Sequence, residues 1–182
     1  MTDGFKALMR GYRLVAAALL ALVVGILFAC VAVPAHAVAL SDYLENKLID
    51  HVFRGVPYTA PGTIYVALYT TSCSDTGGGT EVSGGSYARP GLAASTTNWA
   101  ATNGATTTTN PSTGTGGTTS NNVAISFATP SAGWGTVTHI GLMDAVSGGS
   151  LLVCTALTVS KTINSGDTVS FPISSLTNQV DN

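Results

Sequence analysis

Thr63–Thr70, TIYVALYT, carries apolar side chains on both of its faces, and this limits the fold more than any other stretch of the chain. Successive side chains of a strand point to opposite sides. Ile64, Val66 and Leu68 therefore face one way, and Tyr65, Ala67 and Tyr69 the other. A strand that is apolar on both sides has to be covered on both, which is the position of a central strand. A glycine-rich excursion follows over Ser72–Gly85, and GGGTEVSGG reads as tight turns whose backbone a Cβ would resist. The return segment, Ser86–Ala93, contains Pro90. Proline has no N–H for a ladder, so this strand is expected at an edge or at a bulge. Arg89 is expected to pair with Asp75 or Glu81 and pin the loop.

Before this pair, Ser41–Arg54 has the spacing of an amphipathic helix. Leu44, Leu48 and Val52 fall four apart, and Ile49 and Phe53 widen the stripe. Ser41 or Asp42 supplies the cap, Gly55 the stop, and Asp50 and Arg54 an i,i+4 ion pair. So short a helix has to lie against something, and one face of the central strand is the candidate. After the pair, Ala94–Asn122 is rich in Thr, Ser, Asn and Gly, with Trp99 as its single aromatic. It reads as a surface excursion or a threonine-rich strand pair held by neighbours, since alone it buries too little to offset its ordering entropy. Strand signals then recur at Val123–Phe127, Trp134–Met143, Leu151–Leu157, Thr158–Ile163, Thr168–Ile173 and Leu176–Val180. Gly135 and Gly141 allow bending or close approach in the second of these. Asn164–Asp167 reads as the turn of a hairpin joining Thr158–Ile163 to Thr168–Ile173, with Val169, Phe171 and Ile173 pointing inward. The expected fold class is mainly β: a β-sandwich or jelly-roll-like domain over residues 38–182, with one short N-terminal amphipathic helix.

The chemistry that such a chain can carry is narrow. Beyond residue 37 four basic residues stand against eight acidic ones, a formal charge of −4. So few cations neutralise few phosphates, which argues against nucleic-acid binding. The glycines of Ser72–Gly85 lack the G-x-G-x-x-G register and the P-loop lysine. Asp75 and Glu81 lack the dense carboxylate spacing of a calcium loop. His51 reads as a partly exposed helix residue and His139 as a satisfied sheet histidine, with no nucleophile arranged beside either. No G-x-S-x-G, H-E-x-x-H or metal-ligand spacing occurs. No catalytic, metal or cofactor-binding residue is therefore assigned. Tyr58, Tyr65, Tyr69, Tyr87, Trp99 and Trp134 would form the stacking platform of a glycan binder, but read more simply as core.

Residues 1–37 stand apart. Lys6, Arg10 and Arg13 precede an apolar run, Leu14–Val33, and Ala35-His36-Ala37 supplies an A-x-A site. This is the layout of a secretory signal, expected as a hydrophobic helix. The run is also long enough to span a bilayer, so a retained residue 14–33 segment would anchor the chain to a membrane. A third reading makes residues 1–37 an upstream extension of the gene, with the protein starting at Val38.

In sequence order, ALSDYLENKLIDHVFRG, TIYVALYT, DTGGGTEVSGGSYAR, WGTVTHIGLMDAVSGGSLLV and KTINSGDTVSF resemble a family of small tailed-phage virion structural proteins over residues of about 39–181. These are described as tail fibre or minor structural proteins, and similar small β proteins decorate capsids. Pro90 after Arg89 and the longer Thr-rich segment depart from that pattern. The resemblance implies a virion protein assembled in the host cytoplasm and working through subunit contacts. It implies other virion proteins and further copies of itself as partners, with a host surface as another contact, and no enzymatic activity. It also implies a start near Ala39, which favours the extended-gene reading. The alternative is an exported bacterial surface or periplasmic β-sandwich, directed by residues 1–37, that binds glycan or protein. Cys73 and Cys154 would pair in that setting; a protein assembled in the cytosol keeps them as thiols, which is the expectation here.

Overall fold

The computed structural model describes residues 39–102 and 111–180. The hydrophobic leader expected over residues 1–37, the start at Val38, and the middle of the Thr-rich excursion lie outside the described residues. The described residues are mainly β with one short helix. In order, the elements are β1 (Ala39–Leu40), α1 (Asp42–Phe53), β2 (Thr63–Tyr69), β3 (Gly91–Ala93), β4 (Thr118–Ser120), β5 (Ile125–Ser126), β6 (Gly135–Met143), β7 (Leu151–Ile163), β8 (Ser170–Phe171) and β9 (Thr177–Gln179). One antiparallel sheet has the order β1-β7-β6-β2-β3, and β4–β9 and β5–β8 form separate two-stranded ribbons.

β2 lies inside the sheet, between β6 and β3, as its two apolar faces require. Val66 pairs with Leu142 and Leu68 with Ile140, so these four side chains share one face. There they join Leu92, Ile125, Phe127, Trp134 and Val137 in the larger of two hydrophobic clusters. The opposite face holds Ala67, Tyr69, Met143 and Cys73, with Tyr65, Leu151 and Cys154 against them. Ala67, Gly141 and Cys154 stand in one row across three strands. Gly141 is required in that row, because a Cβ there would lie 2.8 Å from the Tyr69 ring.

The helix begins and ends as its sequence dictates. The Ser41 side chain accepts from the Leu44 N–H and its hydroxyl donates to the Leu151 carbonyl, while the Ser41 N–H bonds Leu152 O at 2.9 Å. One residue thus caps α1 and fixes it to β7. Gly55, at φ +68°, ends the helix. Asp50 and Arg54 form the expected ion pair at 2.9 Å. Only Tyr43 and Leu44 of α1 reach the larger cluster, and no residue of the helix is buried. The cover that the helix was expected to give a sheet face is therefore partial.

Several expectations are corrected. Leu151–Leu157 and Thr158–Ile163 are not two strands but one, β7, which pairs with β6 along its length despite a register shift between Val137 and His139. The Asn164–Asp167 turn exists, with the Asp167 carboxylate accepting from the Asn164 N–H, but it does not join a hairpin. β8 pairs with β5 instead, because Ile125 and Phe171 meet over the core. Val169 and Phe171 face inward as expected, whereas Ile173 is exposed. The return strand shrinks to Gly91–Ala93, at the sheet edge as Pro90 demanded. Leu176–Val180 contributes β9, which closes on β4 rather than on the main sheet. Cys73 and Cys154 are joined in a disulfide, with Cα atoms 6.0 Å apart, where free thiols were expected. The pairing follows from β7, which carries Cys154 to the sheet face that the loop after β2 covers.

Val66 has no exposed surface. Val66→Asp places a carboxylate there with no partner, at a cost of about 4 kcal/mol or more, comparable with the whole stability of a domain. The variant is expected to be insoluble or to lack a cooperative melt by circular dichroism. A soluble variant melting within a few degrees of wild type would contradict the placement of β2.

Candidate interaction surface

The residues singled out from sequence have structural partners. His51 is exposed, and its Nδ1 accepts from the Tyr58 N–H at 3.2 Å, tying the helix end to the connector. His139 is half-buried, with Nδ1 2.9 Å from the Thr138 hydroxyl. Asp75 accepts from the Thr76 N–H, and its carbonyl accepts from the Asp42 N–H, which links the glycine-rich loop to the start of α1. Among the described residues, no group of three His, Cys, Asp or Glu side chains is placed to hold a metal ion. No described helix is long and apolar enough to cross a membrane.

The aromatics do not gather into a platform. Tyr87, Phe127 and Trp134 pack on one another, with ring centroids 5.3–6.1 Å apart. Trp134 Nε1 donates to Gly85 O at 2.9 Å, and a Cβ on Gly85 would collide with Ala132 O. Tyr69 lies on the second face of the sheet. Trp99 sits at the wall of an open apolar groove, apart from these rings.

Arg89 is the centre of the polar architecture. Its Nε and Nη2 hold both oxygens of Glu81, at 2.7 and 2.6 Å, and its Nη1 donates to the carbonyls of Ala145 and Gly148. The side chain is 8% exposed and that of Glu81 26%. Tyr87 Oη donates to Glu81 and accepts from the Leu68 N–H. One guanidinium thereby joins the glycine-rich loop, the segment before β3 and the turn between β6 and β7. Of the two partners expected for Arg89, Glu81 is the one it takes. Burial pushes the Tyr87 phenol well above its ordinary range; the bond from the Leu68 N–H opposes this and the Glu81 charge adds to it. Tyr58 and Tyr69 are also raised, chiefly by burial.

Two apolar surfaces remain. The first is the outer face of α1, where exposure rises along the helix from 38% at Leu48 and 49% at Ile49 to 64% at Val52 and 82% at Phe53, with Val56 beyond at 47%. The second is a groove of about 620 Å³, lined by Leu40, Leu44, Ile64, Trp99, Leu142 and Leu152. Two polar atoms of groove-lining residues, Trp99 Nε1 and Asn178 Oδ1, are buried without a hydrogen-bond partner among the described residues. Leu44 belongs to both the helix and the groove, so the two surfaces adjoin. Helical periodicity announced the stripe in the sequence. The groove had no local signal, since its lining comes from strands far apart in the chain.

A family model described as podophage GP4 fiber I protein gp80 matches residues 39–179. No curated protein matches the chain.

Replacing Arg89 with methionine leaves Glu81 without its cation and two carbonyls without donors. The expected loss is about 2–3 kcal/mol in chemical denaturation, moderated because Glu81 keeps contact with water. A loss under about 0.5 kcal/mol, the size of a surface substitution, would show that the clamp is ornamental.

The raised tyrosines set an alkaline limit. A phenol held neutral in the fold ionises first in the unfolded chain, near pH 10. Their contribution is complete below that pH and is lost as pH rises above it. The denaturation midpoint is expected to fall between pH 9 and pH 11, as ordinary titration brackets, and to fall less steeply in Tyr87→Phe. Equal slopes would remove Tyr87 from this account.

Proposed function

The chain belongs to the podophage GP4 fiber I protein family, phage tail-fibre structural proteins, and from that membership we propose that it works as a fibre module through surface contacts with other virion proteins. Residues 38–182 act as one β-rich unit in this reading. The two ribbons supply the second layer of a sandwich over Val66, Leu68, Ile140 and Leu142, in keeping with the single cluster that these residues share with Ile125 and Phe171. The observation that carries the reading is the outer face of α1, where the large apolar side chains of Leu48, Ile49, Val52 and Phe53 are exposed, with Val56 exposed just beyond the helix. Contiguous apolar surface of that kind marks an interaction site. No reaction is assigned. The polar residues that could have served one are engaged in holding loops, Arg89 and Glu81 above all.

The Cys73–Cys154 disulfide, like the signal-like layout of residues 1–37, favours an exported protein. Disulfides also persist on the outside of virions, however, where a fibre protein spends its working life. The pairing is then compatible with oxidation after release from the host.

Mass spectrometry of purified particles tests the reading. Peptides from β2, β6 and β7 are expected in intact virions, and depleted from virions carrying Val52→Asp and Phe53→Asp together. Recovery of the chain only from bacterial envelope fractions, with none in particles, would reject it.

A further inference from the structure

We propose that the Cys73–Cys154 disulfide closes on a domain that is already folded, and that Cys154 is the thiol through which it is made. This holds whether or not the chain is a fibre component.

The fold places both cysteines without help from the sulfur bond. Cys154 stands in β7 between Gly141 of β6 and Ala39 of β1, so two ladders fix it. Cys73 lies just past Tyr69, the end of β2. On one side of it, the Thr70 N–H bonds Thr80 O at 2.9 Å and the Thr71 hydroxyl accepts from the Thr80 N–H at 2.7 Å. On the other, Ser74 and Gly77 exchange two backbone bonds of 3.0 Å, and the Asp42 N–H bonds Asp75 O at 3.1 Å. Farther along, the Val82 N–H returns to Leu68 O, and Arg89 holds Glu81. The two Cα atoms are 6.0 Å apart, inside the range that a disulfide spans. Residues 81 apart in sequence meet at that distance only when β2, β6 and β7 are in register. Strands therefore come first and sulfur second.

The reduced protein has a place for the buried thiol. Cys73 sits among Ala67, Tyr69 and Met143, and a small apolar surrounding of this kind suits an unpaired cysteine. Its Sγ lies 3.8 Å from the Ile140 carbonyl oxygen, which accepts from an S–H. Reduction deletes no packing atom and leaves no buried donor unpaired at Cys73. A chain made in a reducing cytosol would carry two thiols in a finished domain and meet its oxidant only outside.

The two sulfurs differ in reach. Cys73 is 6% exposed and lies under Tyr69 and the turn at Gly79, where a Cβ would be 3.0 Å from the Tyr69 ring and 3.2 Å from the Cys73 Cβ. Cys154 is half-buried. A low-molecular-weight disulfide arriving from solvent therefore meets Cys154. The Cys154 thiolate attacks it, forming a mixed disulfide and releasing one small thiolate. Cys73 then gives its proton to solvent, and its thiolate attacks Cys154 Sγ and expels the second small thiolate. Two protein thiols lose two electrons, and the small disulfide is reduced to two thiols.

The full chain carrying Cys30→Ser, whose remaining cysteines are Cys73 and Cys154, tests this with glutathione disulfide as oxidant. The reduced chain is expected to show the circular dichroism of the oxidised form and a cooperative melt about 5–15 °C lower. Added glutathione disulfide should then form the Cys73–Cys154 bond without loss of the native spectrum. Single variants read the order of attack. With Cys73→Ala, Cys154 should take up glutathione about tenfold faster or more than Cys73 does with Cys154→Ala, because access limits exchange; in denaturant the two rates should converge. A reduced chain without a cooperative melt would overturn the proposal, as would one that folds but gains no disulfide until it is denatured. Equal or reversed rates in the folded variants would overturn the assignment to Cys154. Absence of the chain from particles bears only on the fibre reading.

Discussion

Arg89 is a cation that the fold has drawn out of water, and four of the five N–H donors of its guanidinium are engaged. Four hydrogen bonds run from it to Glu81, Ala145 and Gly148. Lysine has neither the fork nor the fixed geometry for this arrangement. The clamp matters because the loops that it gathers contain few apolar side chains of their own. Without it, the glycine-rich excursion would keep the Cys73–Cys154 disulfide and buried Val82 as anchors but lose its link to the turn between β6 and β7. Tyr87 extends the network inward, since its hydroxyl bridges Glu81 to the backbone of Leu68 in β2. Polar fastening and hydrophobic core therefore meet on the same strand.

Around that strand the chain divides into parts that are well covered and parts that are not. The C-terminal halves of β2 and β6 are buried from both sides. The ribbons β4–β9 and β5–β8 are short, and they owe their place to single inward residues such as Ile125, Phe171 and Asn121. Asn121 is fully buried and its side chain bonds Val123, Pro172 and Leu176. The helix is tethered by its cap and by Tyr43 and Leu44 on the core, and the apolar side chains of its second half are exposed. This gradation fits a fibre component: a rigid centre resists shear, and the weakly covered elements are available for neighbours.

Much of this was legible in the residues themselves. The double-faced pattern of Thr63–Thr70, the cap at Ser41, the stop at Gly55 and the Asp50–Arg54 pair are local signals, and each appears where the sequence put it. The choice of Glu81 for Arg89 was narrowed to two candidates by charge scarcity. What escaped was non-local. β7 looked like two strands because Thr158–Thr162 is polar and exposed, so alternation fades just where the strand continues against β6. The partner of β8 could not be read from its turn, since Phe171 is claimed by Ile125 from more than forty residues away. Cys73 and Cys154 are neighbours only once β7 is in place. The apolar stripe of α1 was expected to lie against a sheet face, but among the described residues only Tyr43 and Leu44 of the helix pack on the core and the rest of the stripe is exposed.

Native-state amide hydrogen exchange of the unassembled chain tests this division most directly. The amides of Val66, Ala67 and Leu68 are expected to exchange only through global unfolding, while those in the second half of α1 open at markedly lower free energy, because nothing buried holds them. Protection of α1 equal to that of β2 in the isolated monomer would contradict the account, for it would mean that the helix already has the partner that the fold leaves it seeking.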